Sequence, residues 1–423
     1  MGAPCARWAA RACQKVARSA SGAQGMTRKA ERRRRVIRWA ASVAAGIALA
    51  AAAVMLLPGS AGAIGAVVAV LIGLAAGHRA MIAPPGVAIL TYHSVSPAPG
   101  WLPWSRDIAV HPDTFARHLD TLRRMGATVM ATRDLVARRA AGESLPRRPV
   151  VLHFDDGYLD NYRHARPLLE RYVMTATFFP SLDFIALEDT IRFDGEEAGY
   201  MRWRELRDLH GAGFEIEPHG VDHARVPTSD AVVGTLDAGN WRRNAWMQWR
   251  ATPGPKHDWF RLETPVAVPL GSAIPASGLA LAERAWIDGA REAPAAFETR
   301  IERDLARCRD AFVGQLGSPP QIFCWPENKT CGEARAIARQ LGYRATTGGK
   351  GRNAADEPAD VLSRIHVDDR AIGVRWLAVE GLYLRAAVRL MQGNHYWYLV
   401  LAPMHMTRRI VFALRRRFGD DFA

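Results

Sequence analysis

Two apolar patterns divide this chain. From Trp39 to Gly77 no charged residue occurs. Beyond Pro85, short apolar runs alternate with stretches whose apolar positions recur at helical spacing. The first pattern is that of helices in lipid, and the second that of buried strands covered by amphipathic helices. The uncharged block exceeds the roughly 20 residues that one span needs, and Leu57-Pro58-Gly59-Ser60 interrupts it. It predicts either two spans joined by a tight turn, or one signal anchor over 39–57 followed by a Gly/Ala-rich segment.

After the linker Ala83-Pro84-Pro85-Gly86, the run Val87 to Tyr92 reads as a buried strand ending at His93. Pro112 opens a helix with Phe115, Leu119, Leu122 and Met125 on one face, ended by Gly126. A short strand (127–130) and a helix (133–141) lead to Pro149-Val150-Val151-Leu152-His153-Phe154, a strand that runs into Asp155-Asp156-Gly157. A helix over 160–172, a strand from Thr175 to Pro180, a helix from Trp203 and the strand Phe214 to Pro218 follow, the last discharging into His219-Gly220-Val221-Asp222-His223. The alternation implies an α/β fold with a parallel sheet, helices outside and functional residues at the strand C-terminal ends.

The alternation lapses over about 230–295, where Trp241, Trp246, Trp249, Trp259 and Trp286 lie among Pro and Gly. This reads as an insertion serving as a lid or sugar-stacking platform, or as a small hydrophobic subcore holding a long loop. Order returns with a helix over 297–315, the strand Gln321 to Pro326, a helix over 332–342 and the strand Ser363-Arg364-Ile365-His366-Val367. Residues 376–423, with Tyr396-Trp397-Tyr398-Leu399 before Arg408, Arg409, Arg415, Arg416 and Arg417, read as a basic amphipathic tail on a bilayer or an outer packing helix.

Charge adds the orientation. The net charge is +14, and within 1–38 Arg7, Arg11, Lys15, Arg18, Arg28, Lys29, Arg32, Arg33, Arg34, Arg35 and Arg38 face the single acid Glu31. The basicity is therefore mostly a tail that abuts the apolar block, and the positive-inside rule accounts for it without nucleic acid. Residues 1–38 are expected to be a cytoplasmic tail, with Met26 as an alternative start to Met1, and 39–77 to be one or two spans in a bacterial inner membrane. The short, Gly-rich second stretch and its small flank His78-Arg79 favour the single anchor and an exported domain; basic residues at both ends favour the hairpin and a cytoplasmic one. The five cysteines show no metal-type CxxC spacing and do not decide the compartment.

Two adjacent carboxylates need a cation, a basic neighbour or solvent to stay ionised together. His219 and His223, four apart, would share one side of a helical turn within reach of one divalent ion. Strand-end placement brings His93, Asp155, Asp156, His219 and His223 to one rim. A His, His, Asp set with open positions suits a hydrolytic metal site, leaving one carboxylate as base and one histidine as acid. Arg364, at a late strand end, is the candidate to orient Asp155. A sugar-binding protein without catalysis is the alternative class; binding alone needs neither base nor acid.

In order, Leu90-Thr91-Tyr92-His93, Phe154-Asp155-Asp156-Gly157, His219-Gly220-Val221-Asp222-His223 and Trp325-Pro326 resemble the polysaccharide deacetylases with a NodB homology domain, carbohydrate esterase family 4. Within that family the chain is most similar to the subgroup that de-N-acetylates poly-N-acetylglucosamine. The resemblance covers about 87–367, the insertion unmatched, and implies a deformed (β/α) barrel within a catalytic domain of 86–370. It implies Asp155 as the base taking a proton from the attacking water and His93 as the acid protonating the leaving amine. Asp156, His219 and His223 would be ligands of a divalent ion, zinc first, with cobalt, nickel, iron and manganese as alternatives. The residue after Pro326 would offer a backbone N–H to the oxyanion. The implied substrate is an N-acylated glycan or, for a cytoplasmic domain, a lipid-linked amino sugar. The chain departs from the family where Gly220 replaces a hydroxyl residue, and where Cys324 and Glu327 replace an arginine and an aromatic.

Overall fold

The computed structural model describes residues 28–193, 195–251 and 254–418. Residues 1–27, with most of the expected basic tail and both alternative starts, lie outside the described residues, as do 419–423. The chain divides into two units.

Among the described residues, the first unit comprises 28–83 and 393–396. Its body is a hairpin of α1 (Arg28–Leu56) and α2 (Gly59–Met81). The second stretch, whose expected shortness favoured a single anchor, is a helix of 23 residues. At about 1.5 Å per residue it matches the roughly 30 Å of hydrocarbon in a bilayer. Its glycines are contact points: a Cβ on Gly73 would lie 2.7 Å from the Gly46 Cα, and one on Gly46 2.9 Å from the Gly73 Cα. Small residues thus let the two backbones touch where lipid supplies no hydrophobic drive for packing. Outward, Ile47, Leu49, Val54, Ile64, Val67, Leu71 and Ile72 are exposed, as residues facing lipid would be. Both helices are long and apolar enough to cross a membrane.

In the second unit, β1 (Ala88–Tyr92), α3 (Pro112–Arg124), β2 (Thr128–Val129), α4 (Thr132–Ala140), β3 (Pro149–Asp156), α5 (Arg166–Tyr172), β4 (Thr177–Pro180), α6 (Trp203–Gly211) and β5 (Glu215–Ile216) follow one another. The insertion starts earlier than its composition suggested. It is built on the antiparallel hairpin β6 (Arg225–Thr235) and β7 (Ala273–Leu279), with α7 (Trp246–Ala251) between them. A small ribbon of β8 (Trp286–Ile287) and β9 (Ala290–Arg291) precedes α8 (Pro294–Leu316), β10 (Ile322–Phe323), α9 (Gly332–Gln340), β11 (Ala345–Gly349) and β12 (Val361–His366).

The main sheet is parallel and eight-stranded, in the order β10-β11-β12-β1-β3-β4-β5 with β2 beside the start of β3. It curls into the deformed (β/α) barrel that the sequence implied. Strand alternation sorts the side chains. Ile89, Val151, Phe179, Ile322, Cys324 and Leu362 fill the interior, while Leu90, Tyr92, Leu152, Phe154 and Phe178 pack outward against Phe115, Leu119 and Leu122 of α3.

β5 and β10 are not joined by a ladder. The gap is bridged by the buried carboxylate of Glu217, whose Oε2 accepts from the backbone N–H groups of Gln321 (2.9 Å) and Ile322 (3.0 Å) while Oε1 accepts from Arg133 Nε (2.7 Å). Beyond it the Cys324 N–H donates to the Pro218 carbonyl at 3.0 Å. Residues 377–391, read from sequence as part of a tail, form α10 (Leu377–Met391), which places Leu384, Val388 and Met391 in the same apolar layer as α3. The following α11 (Tyr398–Phe418) buries Leu401 and Met404 against α10 and presents Leu399, Met406, Ile410 and Leu414 outward.

Removing the seam carboxylate orphans two buried N–H groups and the Arg133 charge. Glu217→Ala is therefore expected to cost about 3 kcal/mol. Glu217→Gln, which keeps an acceptor oxygen, should cost less than half of that. Urea unfolding of the two variants checks the ranking, and equal losses would show that the seam is held elsewhere.

Candidate active site

The C-terminal ends of the strands open into a cavity of about 1120 Å³ lined by, among others, His93, Asp155, Asp156, His219, His223 and Arg364. All six sequence-predicted residues are thus brought together.

Asp155 and Asp156 are separated by the end of β3. Asp155 keeps strand alternation and points inward; Asp156 takes a left-handed conformation (φ 71°), followed by Gly157 at φ 76°. A Cβ on Gly157 would fall 2.7 Å from that of Pro180, so only glycine fits. This turn sends the two carboxylates to different partners. Arg364 Nη1 donates to Asp155 Oδ1 at 2.7 Å, and Arg364 Nε donates to Asn328 Oδ1 at 3.2 Å. Burial pushes Asp155 up, but the guanidinium outweighs it and holds the carboxyl well below the usual range. Arg364 thus contacts the acid that its position made it a candidate to orient.

His93 Nε2 lies 3.8 Å from Asp155 Oδ2. Burial pushes its pKa down to about 4 against the pull of Asp156 and Asp155, so the imidazole rests neutral. His366, which sequence reading did not single out, lies edge-on to His93 with ring centroids 5.1 Å apart and donates from Nε2 to the Asp107 carbonyl at 2.8 Å.

The ligand atoms of Asp156, His219 and His223 all lie within 4.8 Å of one another. The segment carrying the two histidines is not the helical turn that their spacing suggested. Gly220 (φ 82°) and His223 (φ 51°) are both left-handed, and their approach is imposed by contacts along a bent loop. Leu182 and Asp183 N–H donate to the carbonyls of Gly220 (3.0 Å) and Val221 (2.7 Å). The Val221 N–H donates to the Asp304 carboxylate at 3.3 Å. Lys256 Nζ, buried, sits 3.6 Å from Asp183 and 3.7 Å from Asp222. The insertion thereby reaches the back of the histidine loop.

The set fits a divalent ion. His219 Nδ1 donates to the Cys324 carbonyl at 2.9 Å, which leaves Nε2, 3.4 Å from Asp156, to face the cavity. Burial pushes Asp156 up, but His219 and His93 hold it down at about 2. Burial likewise disfavours a charged His219, yet Cys324, Asp155 and Asp156 raise its proton affinity. The surroundings therefore favour a positive charge at this point. A second trio, Asp155, His219 and Cys324, also has its ligand atoms within 4.8 Å of one another.

The acid at 327 is neutralised: Glu327 pairs with Arg225 at 2.5 Å and Lys329 at 2.6 Å. Of the insertion's tryptophans, Trp241, Trp246 and Trp259 are buried, and Trp246 and Trp249 line the cavity with Trp104. Trp259 Nε1 donates to Tyr200 Oη at 2.9 Å. The insertion is thus both a subcore and a cavity wall.

Residues 142–245 match the family model described as polysaccharide deacetylase. The Bacillus subtilis (strain 168) protein YxkH is 26% identical over 146 residues, covering 34% of this chain and 45% of that protein. The Escherichia coli (strain K12) poly-beta-1,6-N-acetyl-D-glucosamine N-deacetylase is 22% identical over 246 residues, covering 56% of this chain and 30% of that one. The chain thus spans less than half the length of these curated relatives. Among solved structures, a de-N-acetylase from Aggregatibacter actinomycetemcomitans aligns with a TM-score of 0.49 at 20% identity, over 67% of this chain and 95% of its own. The match to the polysaccharide deacetylase model takes in β3 with Asp155 and Asp156, and the loop with His219 and His223.

Asp160, which earlier served only to mark a helix start, holds the segment after His93. Its Oδ2 accepts from Ser94 Oγ at 2.6 Å and its Oδ1 from the Val95 N–H at 3.1 Å. Burial pushes its pKa up to about 7. An unfolded aspartate titrates near 4, so the folded state binds the proton more tightly between these values. The stability from this group is full below about pH 4 and lost as pH rises through about 7. The parent's stability relative to Asp160→Asn is therefore expected to fall across that window in denaturation midpoints. A difference independent of pH would show that Asp160 is ionised throughout.

Proposed function

We propose that this protein is a membrane-anchored hydrolase that removes the N-acyl group, acetyl first, from amino sugars of a glycan, using a divalent ion held by Asp156, His219 and His223. The reading rests on one observation above all: an ionised acid locked by arginine, a neutral histidine and an Asp/His/His set share one cavity. Family resemblance puts zinc first for the ion. Bound there, the ion would polarise the amide carbonyl and ease deprotonation of water.

The chain's own groups perform the remaining steps. Asp155, ionised by Arg364, accepts a proton from the attacking water. His93 rests neutral, so its part is to carry a proton from the Asp155 side to the leaving nitrogen; it is not a standing imidazolium. The Glu327 N–H, next to a carboxylate that Arg225 and Lys329 neutralise, is a donor for the oxyanion. Trp104, Trp246 and Trp249 provide faces on which sugar rings stack. A binding-only cavity would need no base locked by a buried arginine, which disfavours the lectin reading.

Asp155→Asn should lower kcat at least about a hundredfold while metal content, measured by elemental analysis, stays at the parent level. His219→Ala and His223→Ala should each lower bound metal. Unchanged metal in both histidine variants would overturn the ligand assignment, and no release of acetate or formate from any N-acylated glycan would overturn the hydrolase reading.

The hairpin favours a second reading of substrate and side. Two spans return the chain to the side of the arginine-rich segment 28–38, which the positive-inside rule makes cytoplasmic. A lipid-linked amino sugar at the inner leaflet then replaces the exported polysaccharide expected from family habit. The outward row Leu399, Met406, Ile410 and Leu414 beside Arg409 would rest on the same leaflet. Alkaline phosphatase fused after Pro85 distinguishes the two. The hairpin predicts a stable, inactive fusion in intact cells, and activity would restore the exported polysaccharide.

A further inference from the structure

The trio of Asp155, His219 and Cys324 is unexplained by the proposed chemistry. Cys324 lies one residue beyond β10 and points into the barrel interior among Ile322, Leu362 and Val151. It is fully buried, and its Sγ donates to Asp155 Oδ1 at 3.7 Å. The Asp155, His219 and Cys324 ligand atoms lie within 4.8 Å of one another, the same spread as in the Asp156, His219 and His223 set.

We propose that Asp155, His219 and Cys324 form a second ion position, exclusive of the first and selective for thiophilic divalent ions such as Cd²⁺. The proposal rests on the assignment of Asp156, His219 and His223 as metal ligands. Exclusivity follows from His219. Its Nδ1 is engaged by the Cys324 carbonyl, so Nε2 alone is free, and one imidazole nitrogen binds one ion. Selectivity follows from the other two donors. Arg364 already holds Asp155 Oδ1 at 2.7 Å, and its positive charge opposes any cation brought there. An ion that gains only an oxygen and a nitrogen ligand is better served by the Asp156, His219 and His223 set. Only a strong bond to sulfur shifts the balance inward, and thiolate selects soft ions. Binding breaks the S–H bond, forms an S–Cd bond and releases the proton to solvent, with no change of oxidation state.

The functional consequence is inhibition by relocation. An ion in the inner position takes the proposed base as a ligand and draws His219 away from Asp156 and His223. Asp155 and His219 line the cavity, while Cys324 lies behind them, so an ion reaches the outer set first and passes inward from it.

The experiment uses the full chain in detergent, stripped of metal, with Cys5, Cys13 and Cys331 all changed to Ser in the parent, so that Cys324 and the buried Cys308 are the remaining thiols. Titration with Cd²⁺ is followed by the thiolate-to-cadmium charge-transfer absorption. Parent and His223→Ala should both develop the band, because the inner trio survives in each. Cys324→Ala and Cys324→Ser should lose it, with Cd²⁺ affinity reduced about tenfold or more, as for loss of a metal-site residue. Persistence of the band in both Cys324 variants would overturn the proposal. Cadmium NMR of the parent needs no variant: a sulfur-ligated resonance supports the inner position, and one typical of oxygen and nitrogen ligands alone rejects it. Failure of the outer set is distinct, since it appears as zinc affinity unchanged by His223→Ala, whatever cadmium does.

Discussion

Two carboxylates one residue apart must both stay ionised in a buried rim, and the site is arranged around the way that repulsion is resolved. The backbone turns left-handed at Asp156 and Gly157, so the acids face different partners. Arg364 neutralises Asp155, and His219, with the cation proposed beside it, would do the same for Asp156. Neither partner could serve both, because a guanidinium at 2.7 Å from one carboxylate would compete with a cation for the other. Separation of the acids is thus what would let the proposed base and the proposed metal ligand stand side by side.

What the sequence revealed follows from this economy. Strand-end placement sufficed to bring His93, Asp155, Asp156, His219, His223 and Arg364 to one cavity, because a parallel α/β sheet delivers its C-terminal ends to a single rim. Local geometry was less legible. A separation of four suggested a helical turn for His219 and His223, but tertiary hydrogen bonds from Leu182, Asp183 and Asp304 override that spacing. Lys256, Asp304 and Asp160 carried no signal as motifs: each is an isolated charged residue whose partner is remote in sequence. Asp160 stood three positions beyond a recognised motif, yet its bond to Ser94 spans 66 positions.

The edges of the domain were left open for a related reason. Aromatic and basic composition allowed a membrane tail or an outer packing helix for 376–423, and α10 belongs to the outer apolar layer of the barrel. An amphipathic helix has the same sequence pattern whether its apolar face meets lipid or a sheet. The glycine-rich second apolar stretch shows the converse. Its composition argued against a helix that crosses lipid, yet glycines at a close helix contact are the means by which such a hairpin packs.

The seam between β5 and β10 gives the barrel an uneven stiffness. Continuous ladders tie β3 to β1 and β1 to β12, so Asp155 and Arg364 ride on the rigid arc of the ring. His219 and Cys324 stand on either side of the gap, which is held by a carboxylate, one backbone bond and the His219 Nδ1 bond to the Cys324 carbonyl, with no ladder. Asp155, Asp156 and Arg364 are thus fixed by ladders, while His219 and His223 lie on the loop beyond β5. A proposed ion that changed its coordination number would need ligands that yield by a few tenths of an ångström, and the fold offers that at the two histidines, with Asp156 as the rigid third.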